Sequence, residues 1–277
     1  MQTARINNRF TPSSEWHPHY FIENPVFADL ETLFAVSALA QWPEPKQLNA
    51  WRQESDYRFV ENELLEQDGR YYEAYIYATQ QIPTRAGNYH DFFGALIWCL
   101  FPQSKARINQ LHMQDIQQSG ISPRTPLRNK LTLLDECGVL IAYSEAQAEM
   151  VEALRQHQWQ HVFWQHRALW WQQVQPVVFG HAIYEMATKP FLGLTAKCWF
   201  VKVPDTYFSW PLTKQYQYLD AQLCQQLQQP EVLFGAEQLT PLPLLGVPGW
   251  YAENQQHEFY QNTDYFRPKR QSHKGRV

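Results

Sequence analysis

The stretch that decides the fold is NYHDFFGALIWCLFPQSKARINQLH, Asn88 to His112. Its segment Phe92 to Pro102 is the longest apolar run in the chain. A bilayer needs about 20 such residues, so a run of this length is that of a buried core helix. Asn88 suits a helix cap, and at about 100° per residue Asp91, Trp98, Lys105, Asn109 and His112 fall on one face. Most of the remaining circumference is apolar. A helix apolar nearly all round is buried, so a polar line along it needs partners or water. Pro102 must kink this helix or start a second one.

Upstream, Asn24 to Trp42 reads as a helix, with Asn24 as cap, Pro25 in the first position and Pro43 and Pro45 ending it. RYYEAYIYAT, Arg70 to Thr79, is rich in Tyr and Ile and reads as a strand. A turn-prone link, Pro83 to Asn88, leads into the long apolar segment. Downstream, LTLLDECGVLIAYS, Leu131 to Ser144, reads as strand, turn, strand around Gly138, with a helix ending at Cys137 as the alternative. Ser144 and Gln147 match a capping box for a helix running toward His157. More helix is expected over Trp159–Gln173, Val177–Thr188 and Lys214–Gln228, and a strand over Thr195–Val203. The class is α+β: a mostly helical single domain over residues 1–277, with a small β-sheet and a loop-rich C-terminal segment.

Hydrophobic residues make up 44% of the 277, aromatic residues 15% and charged residues only 18%, enough to bury a large core. The formal net charge of -4 argues against a nucleic-acid partner, which calls for a basic excess. The one basic cluster is Arg267, Lys269, Arg270, His273, Lys274 and Arg276, read as part of a mobile tail over 266–277. Cys99, Cys137, Cys198 and Cys224 are too scattered for a zinc ribbon or a disulfide scaffold. Met1 to Phe10 lacks the apolar core of a signal peptide, so a cytoplasmic protein with no membrane partner is expected.

Several polar groups sit in otherwise apolar surroundings. Asp91, three residues after Asn88, answers free amides at a helix start. His90 beside it lies where a protonated imidazole is disfavoured and a neutral one serves as base or ligand. Asp135 and Glu136 read as adjacent acids at a turn. In VVFGHAIYE, His181 and Glu185 are spaced i, i+4 on a helix face, which suits metal ligation and equally a plain hydrogen-bonded pair. Imidazoles and carboxylates of this kind bind Zn, Mn or Fe. The chain carries no nucleophile elbow, phosphate-binding loop, dinucleotide fingerprint or H-E-x-x-H.

The blocks PTRAGNYHDFFGALIWCLFPQSKARINQLH (Pro83–His112), LTLLDECG (Leu131–Gly138), FGHAIYE (Phe179–Glu185), LLGVPGW (Leu244–Trp250) and YFRP (Tyr265–Pro268) resemble the bacterial family known as domain of unknown function 3025. The family pattern prefers Trp at Tyr89 and Asn at Gly94. The resemblance implies a cytosolic bacterial protein and supplies no reaction, cofactor or substrate.

The leading functional expectation is a metal-assisted hydrolase. His90, Asp91, His181 and Glu185 would hold the metal, Asp135 and Glu136 would act as ligand or general base, and Arg85, Lys105, Asn109, His112 and Trp250 would bind a small anionic substrate. A non-metal binding protein for a small anion or nucleotide is the alternative, built on Arg85, the helix start at Asn88 and the turn Leu245–Trp250. A protein-interaction scaffold comes last.

Overall fold

The computed structural model describes residues 10–52, 55–235 and 238–270. Most of the expected N-terminal stretch, residues 1–9, and the tail residues His273, Lys274 and Arg276 lie outside them. The fold is α+β and mostly helical.

The first helices among the described residues are short, α1 (Tyr20–Glu23), α2 (Ala28–Phe34) and α3 (Pro45–Trp51). The helix expected over Asn24–Trp42 is therefore broken. Asn24 does act as a cap, its side chain accepting from the Val26 amide at 3.0 Å. Ala35, however, takes a left-handed conformation at φ 48°, and the Glu31 carboxylate secures the break by accepting from the Ser37 amide and hydroxyl at 2.9 and 2.6 Å.

Strand β1 (Arg58–Glu61) pairs in parallel with β2 (Gln81–Thr84), and α4 (Glu63–Asp68) and α5 (Tyr72–Thr79) lie between them. Helix α5 replaces the strand expected over Arg70–Thr79. Strand propensity is mostly a preference for a half-buried pleated surface, and here packing decides otherwise: Tyr75 and Ile76 are buried while Tyr77 is exposed. Gln80 then ends the helix at φ 56°.

Helix α6 (Tyr89–Leu100) is nearly all core, with nine of its twelve residues buried. Pro102 starts a new helix, α7 (Pro102–Ser119), directly after Phe101. The first α7 amides take no local cap. Gln103 and Ser104 instead donate to the Asp220 carboxylate at 3.0 and 2.8 Å.

Helix α8 (Pro126–Cys137) passes straight into β3 (Gly138–Tyr143), so the helical alternative holds for Leu131–Cys137 and Asp135–Glu136 stand on a last helical turn. Helix α9 (Ala148–Arg155) follows, though Ser144 makes no side-chain cap. The helix expected over Trp159–Gln173 forms only at its start, where residues 159–160 run into a π turn, His161–Gln165, followed by a 3-10 turn, Arg167–Leu169. The helix expected over Val177–Thr188 begins late: Val177 and Val178 belong to β4 (Val174–Val178), and α10 spans His181–Ala187. Strand β5 (Thr195–Lys202), helix α11 (Leu212–Gln226) and β6 (Thr240–Pro243) complete the set.

The larger sheet has the order β4-β3-β5-β6, with β3 antiparallel to β4 and parallel to β5. Gly138 to Ala142 are all buried, as expected of a strand covered on both faces. The buried apolar residues form one cluster reaching from Phe21 to Phe266. Phe266, placed in the tail by sequence, is part of this core, and the Arg267 carbonyl accepts from the Trp159 indole at 2.8 Å. Among the described residues no helix is long and apolar enough to cross a membrane.

Candidate functional site

A cavity of about 550 Å³ opens between α5, α6, α7, α8 and α10. Its walls include Arg85, His90, Asp91, Lys105, Asn109, His112, Asp135, Glu136 and His181, nine of the residues singled out in the sequence.

Two helix starts and one helix end make this convergence. His90 sits in the first turn of α6, where the Asn88 side chain accepts from the Asp91 amide at 3.0 Å. His181 is the first residue of α10. Asp135 and Glu136 lie at the end of α8, and the preceding residue of α10, Gly180, is pressed against that end. Its amide donates to the Gly138 carbonyl at 2.7 Å. A Cβ at Gly180 would lie 2.5 Å from the Gly138 nitrogen and 2.6 Å from that of Cys137, so only glycine lets α10 approach this closely.

His90 and His181 meet through their Nε2 atoms at 3.0 Å, with ring centroids 4.3 Å apart and planes at 76°. Each turns its other nitrogen toward a carboxylate: His90 Nδ1 lies 3.0 Å from Glu185 Oε2, and His181 Nδ1 lies 3.9 Å from Asp135 Oδ2. Asp135 in turn holds the Lys105 ammonium. The result is a line of five groups, Glu185, His90, His181, Asp135 and Lys105.

The two imidazoles are driven apart in basicity. The hydrogen bond to Glu185 raises the His90 pKa against the effect of burial. Burial lowers the His181 pKa to about 4, and the Lys105 and His90 charges add to it. Burial tends to raise the Asp135 carboxyl, but the charge of Lys105, the charge of His181 and the hydrogen bond from Lys105 bring it below its ordinary value. In the matching proton arrangement an imidazolium at His90 donates to Glu185 and to His181, and neutral His181 carries its proton on Nδ1 toward Asp135.

Asp91, expected as a metal ligand, is held by Arg85. Its carboxylate accepts from the Arg85 amide and guanidinium at 2.9, 2.9 and 2.7 Å. Glu185 faces the far nitrogen of His90. The four expected ligands thus form a hydrogen-bonded line and an ion pair, and no shell. Among the described residues no group of three or more His, Cys, Asp or Glu side chains is placed to hold a metal ion. Trp250 is elsewhere: it packs on Trp171 at 5.7 Å and borders a separate cleft with Asp29 and Tyr184. Its turn therefore supplies nothing to the cavity.

The other end of the cavity lies between α5 and α7. The Asn109 amide donates to the Glu73 carbonyl at 2.9 Å and also to the Glu73 carboxylate. Asn109 Oδ1 and His112 Nδ1 are buried without a hydrogen-bond partner, as is His181 Nδ1 at the histidine pair. Glu66, Glu73, Tyr72 and Arg124 complete this wall, none of them anticipated from sequence. Reading α5 as a strand hid Tyr72 and Glu73, because only a helix carries them toward α7, and Glu66 comes from α4. Gly180 did leave a signal, a glycine directly before His181.

No curated protein and no solved structure matches the chain. A family model described as a protein of unknown function, domain of unknown function 3025, matches residues 57–270, which include every residue of this cavity. The chain belongs to that family.

Proposed function

We propose that the cavity is the active site of a cytoplasmic enzyme that works by proton transfer through His90 and His181, with hydrolysis of a small polar substrate as its reaction. The observation that carries this reading is the 3.0 Å contact between two Nε2 atoms whose rings each turn Nδ1 toward a carboxylate. Paired groups whose environments push their pKa values in opposite directions divide the acid and base roles between them. Here His90 is the acid and His181 the base. Glu185 orients His90 by a hydrogen bond, Asp135 faces His181 Nδ1 across 3.9 Å as a charge, and Lys105 keeps Asp135 ionised. His90, with 37% of its side chain exposed, is the ring that gives way when substrate and water enter. Water then loses a proton to His181 Nε2 while His90 gives one to the leaving group. The four free cysteines favour a reducing compartment.

The test is a screen of small esters, amides and phosphoesters with the wild-type protein beside His90→Gln and His181→Gln. Turnover lost in both folded variants supports the pair. Turnover unchanged in either removes it.

A divalent Zn, Mn or Fe ion is the second reading. Metal-bound histidines usually hydrogen-bond their other nitrogen to a carboxylate, and His90 does so with Glu185 while His181 Nδ1 faces Asp135 at 3.9 Å. His90 and His181 would hold such an ion, which would supply Lewis-acid activation of water. Elemental analysis decides it: near-stoichiometric metal lost in His90→Gln favours the ion, and metal-free protein with full turnover rejects it. An anionic substrate has less support, since Arg85 is held by Asp91 and Lys105 by Asp135.

A further inference from the structure

Two of the three cations on the cavity wall are already matched, Arg85 by Asp91 and Lys105 by Asp135. What remains is Arg124 against three acids, Glu66, Glu73 and Glu136. Arg124 is directed to the Tyr71 hydroxyl at 3.3 Å and the Thr132 hydroxyl at 3.4 Å. The His90–Glu185 pair adds no net charge when His90 is protonated. The open face of the cavity is thus negative, and it attracts cations and repels anions.

The α5–α7 end has a second, independent feature. Asn109 is 2% exposed and His112 4%, yet each keeps one buried polar atom without a partner. The Asn109 orientation is fixed, because its amide nitrogen donates to two Glu73 oxygens and a flip would set Oδ1 against that carboxylate. The unpartnered atom is therefore an acceptor beside an acid. Buried acceptors without donors are costly and rare, and an N–H-bearing cation answers both the orphan and the charge. Tyr72, 40% exposed on the same wall, offers an aromatic face suited to a cation.

We propose that the Glu73–Asn109–His112 end of the cavity binds a primary ammonium or guanidinium group of the ligand. Resting on the active-site reading above, the substrate class is a small amine-bearing ester or amide, its cation seated between α5 and α7 and its scissile bond at His90 and His181.

Binding can be separated from turnover with three probes of equal length, aminohexanol, hexanediol and hydroxyhexanoate. They are titrated into the full chain by calorimetry and by ligand-observed NMR. Aminohexanol alone is expected to bind, at least tenfold more weakly in Glu73→Gln and in Asn109→Leu, and with little change in His90→Gln. Because Asn109 is buried, Glu136→Gln on the cavity wall serves as a milder variant and should weaken binding severalfold. Gly94→Trp, which meets no neighbouring atom at its Cβ and fills the cavity from α6, should abolish binding in a folded protein. Hydroxyhexanoate binding as well as aminohexanol would overturn the proposal. So would aminohexanol binding undiminished in Glu73→Gln, no response to aminohexanol, or magnesium binding with the amine inert. If amine binding survives in His90→Gln and turnover does not, both readings stand. If turnover also survives, only the histidine mechanism falls.

Discussion

Replacing Gly180 with Ala tests whether the close approach of α10 to α8 builds the site. The added Cβ would stand 2.5 Å from the Gly138 nitrogen and 2.6 Å from the Cys137 nitrogen, both backbone atoms that have no rotamer to escape into. Reaching an ordinary contact of 3.4 Å requires a retreat of about 0.9 Å. The next residue is His181, whose 3.0 Å contact with His90 would stretch beyond hydrogen-bond reach under such a shift. Overpacking of this kind costs about 1–3 kcal/mol, and the 2.7 Å bond from the Gly180 amide to the Gly138 carbonyl is at risk as well. At roughly 2–4 °C per kcal/mol for a chain of this size, the expected loss in Tm is on the order of 2–12 °C. Thermal unfolding measures the stability, and imidazole NMR reads the pair: the His90 and His181 titrations should move back toward ordinary histidine values. A Gly180→Ala protein with the wild-type Tm and unchanged imidazole titrations would refute the reasoning.

Gly94→Ala is the counterpart, since its Cβ meets nothing within 4 Å. It should raise stability by about 0.5–1 kcal/mol through the entropy of a mid-helix glycine, read as a higher urea midpoint. The buried His181 gives a pH dependence. Its pKa is lowered to about 4 in the folded chain, below an unfolded value of about 6.5, so the unfolded state binds the extra proton first. The stability it contributes is present above pH ~6.5 and lost as pH falls toward 4, on the order of 3 kcal/mol in all. Urea titrations of wild type and His181→Gln at several pH values should converge at the acid end, and parallel curves would contradict this. Arg128, 1% exposed, donates to Asp115 at 2.8 Å and to the Gly120, Ile121 and Pro123 carbonyls. Arg128→Met should cost about 3–5 kcal/mol by leaving a buried acid unpaired, and a chemical-denaturation loss below 1 kcal/mol would disprove that role. The buried thiols of Cys99 and Cys198, both pushed up to about 12 by burial, should resist thiol reagents in the native protein. Labelling at the rate of the unfolded chain would contradict their burial.

Much of the cavity was legible because its polar groups interrupt apolar helices. Asn88 as a cap, Pro102 as a start signal and the polar line from Asp91 to His112 are local features, and local rules read them. The line crosses two helices, yet Asp91, Trp98, Lys105, Asn109 and His112 all reach the same cavity. What stayed hidden depends on long-range packing. Tyr and Ile in 72–79 favour a strand until α7 offers them a helical groove. Val177 and Val178 extend β4 because β3 lies beside them, with Val177 opposite Leu140 and Val178 opposite Val139. Asp91 looked like a ligand because nothing local reveals that Arg85 folds back onto it. Trp250 looked like a stacking platform because its partner, Trp171, is remote in sequence.

The joint at Pro102 has a further consequence. The histidine pair engages α6 and the amine-binding end engages α7, so the angle between these helices sets the span of the cavity. That angle is braced from outside: the Asp220 carboxylate of α11 grips the first amides of α7. Among the described residues, α11 lends no side chain to the wall. The cavity therefore works like a caliper whose adjusting screw sits on a helix the ligand never meets. Changes at Asp220 can retune the length of molecule accepted while every lining residue stays the same.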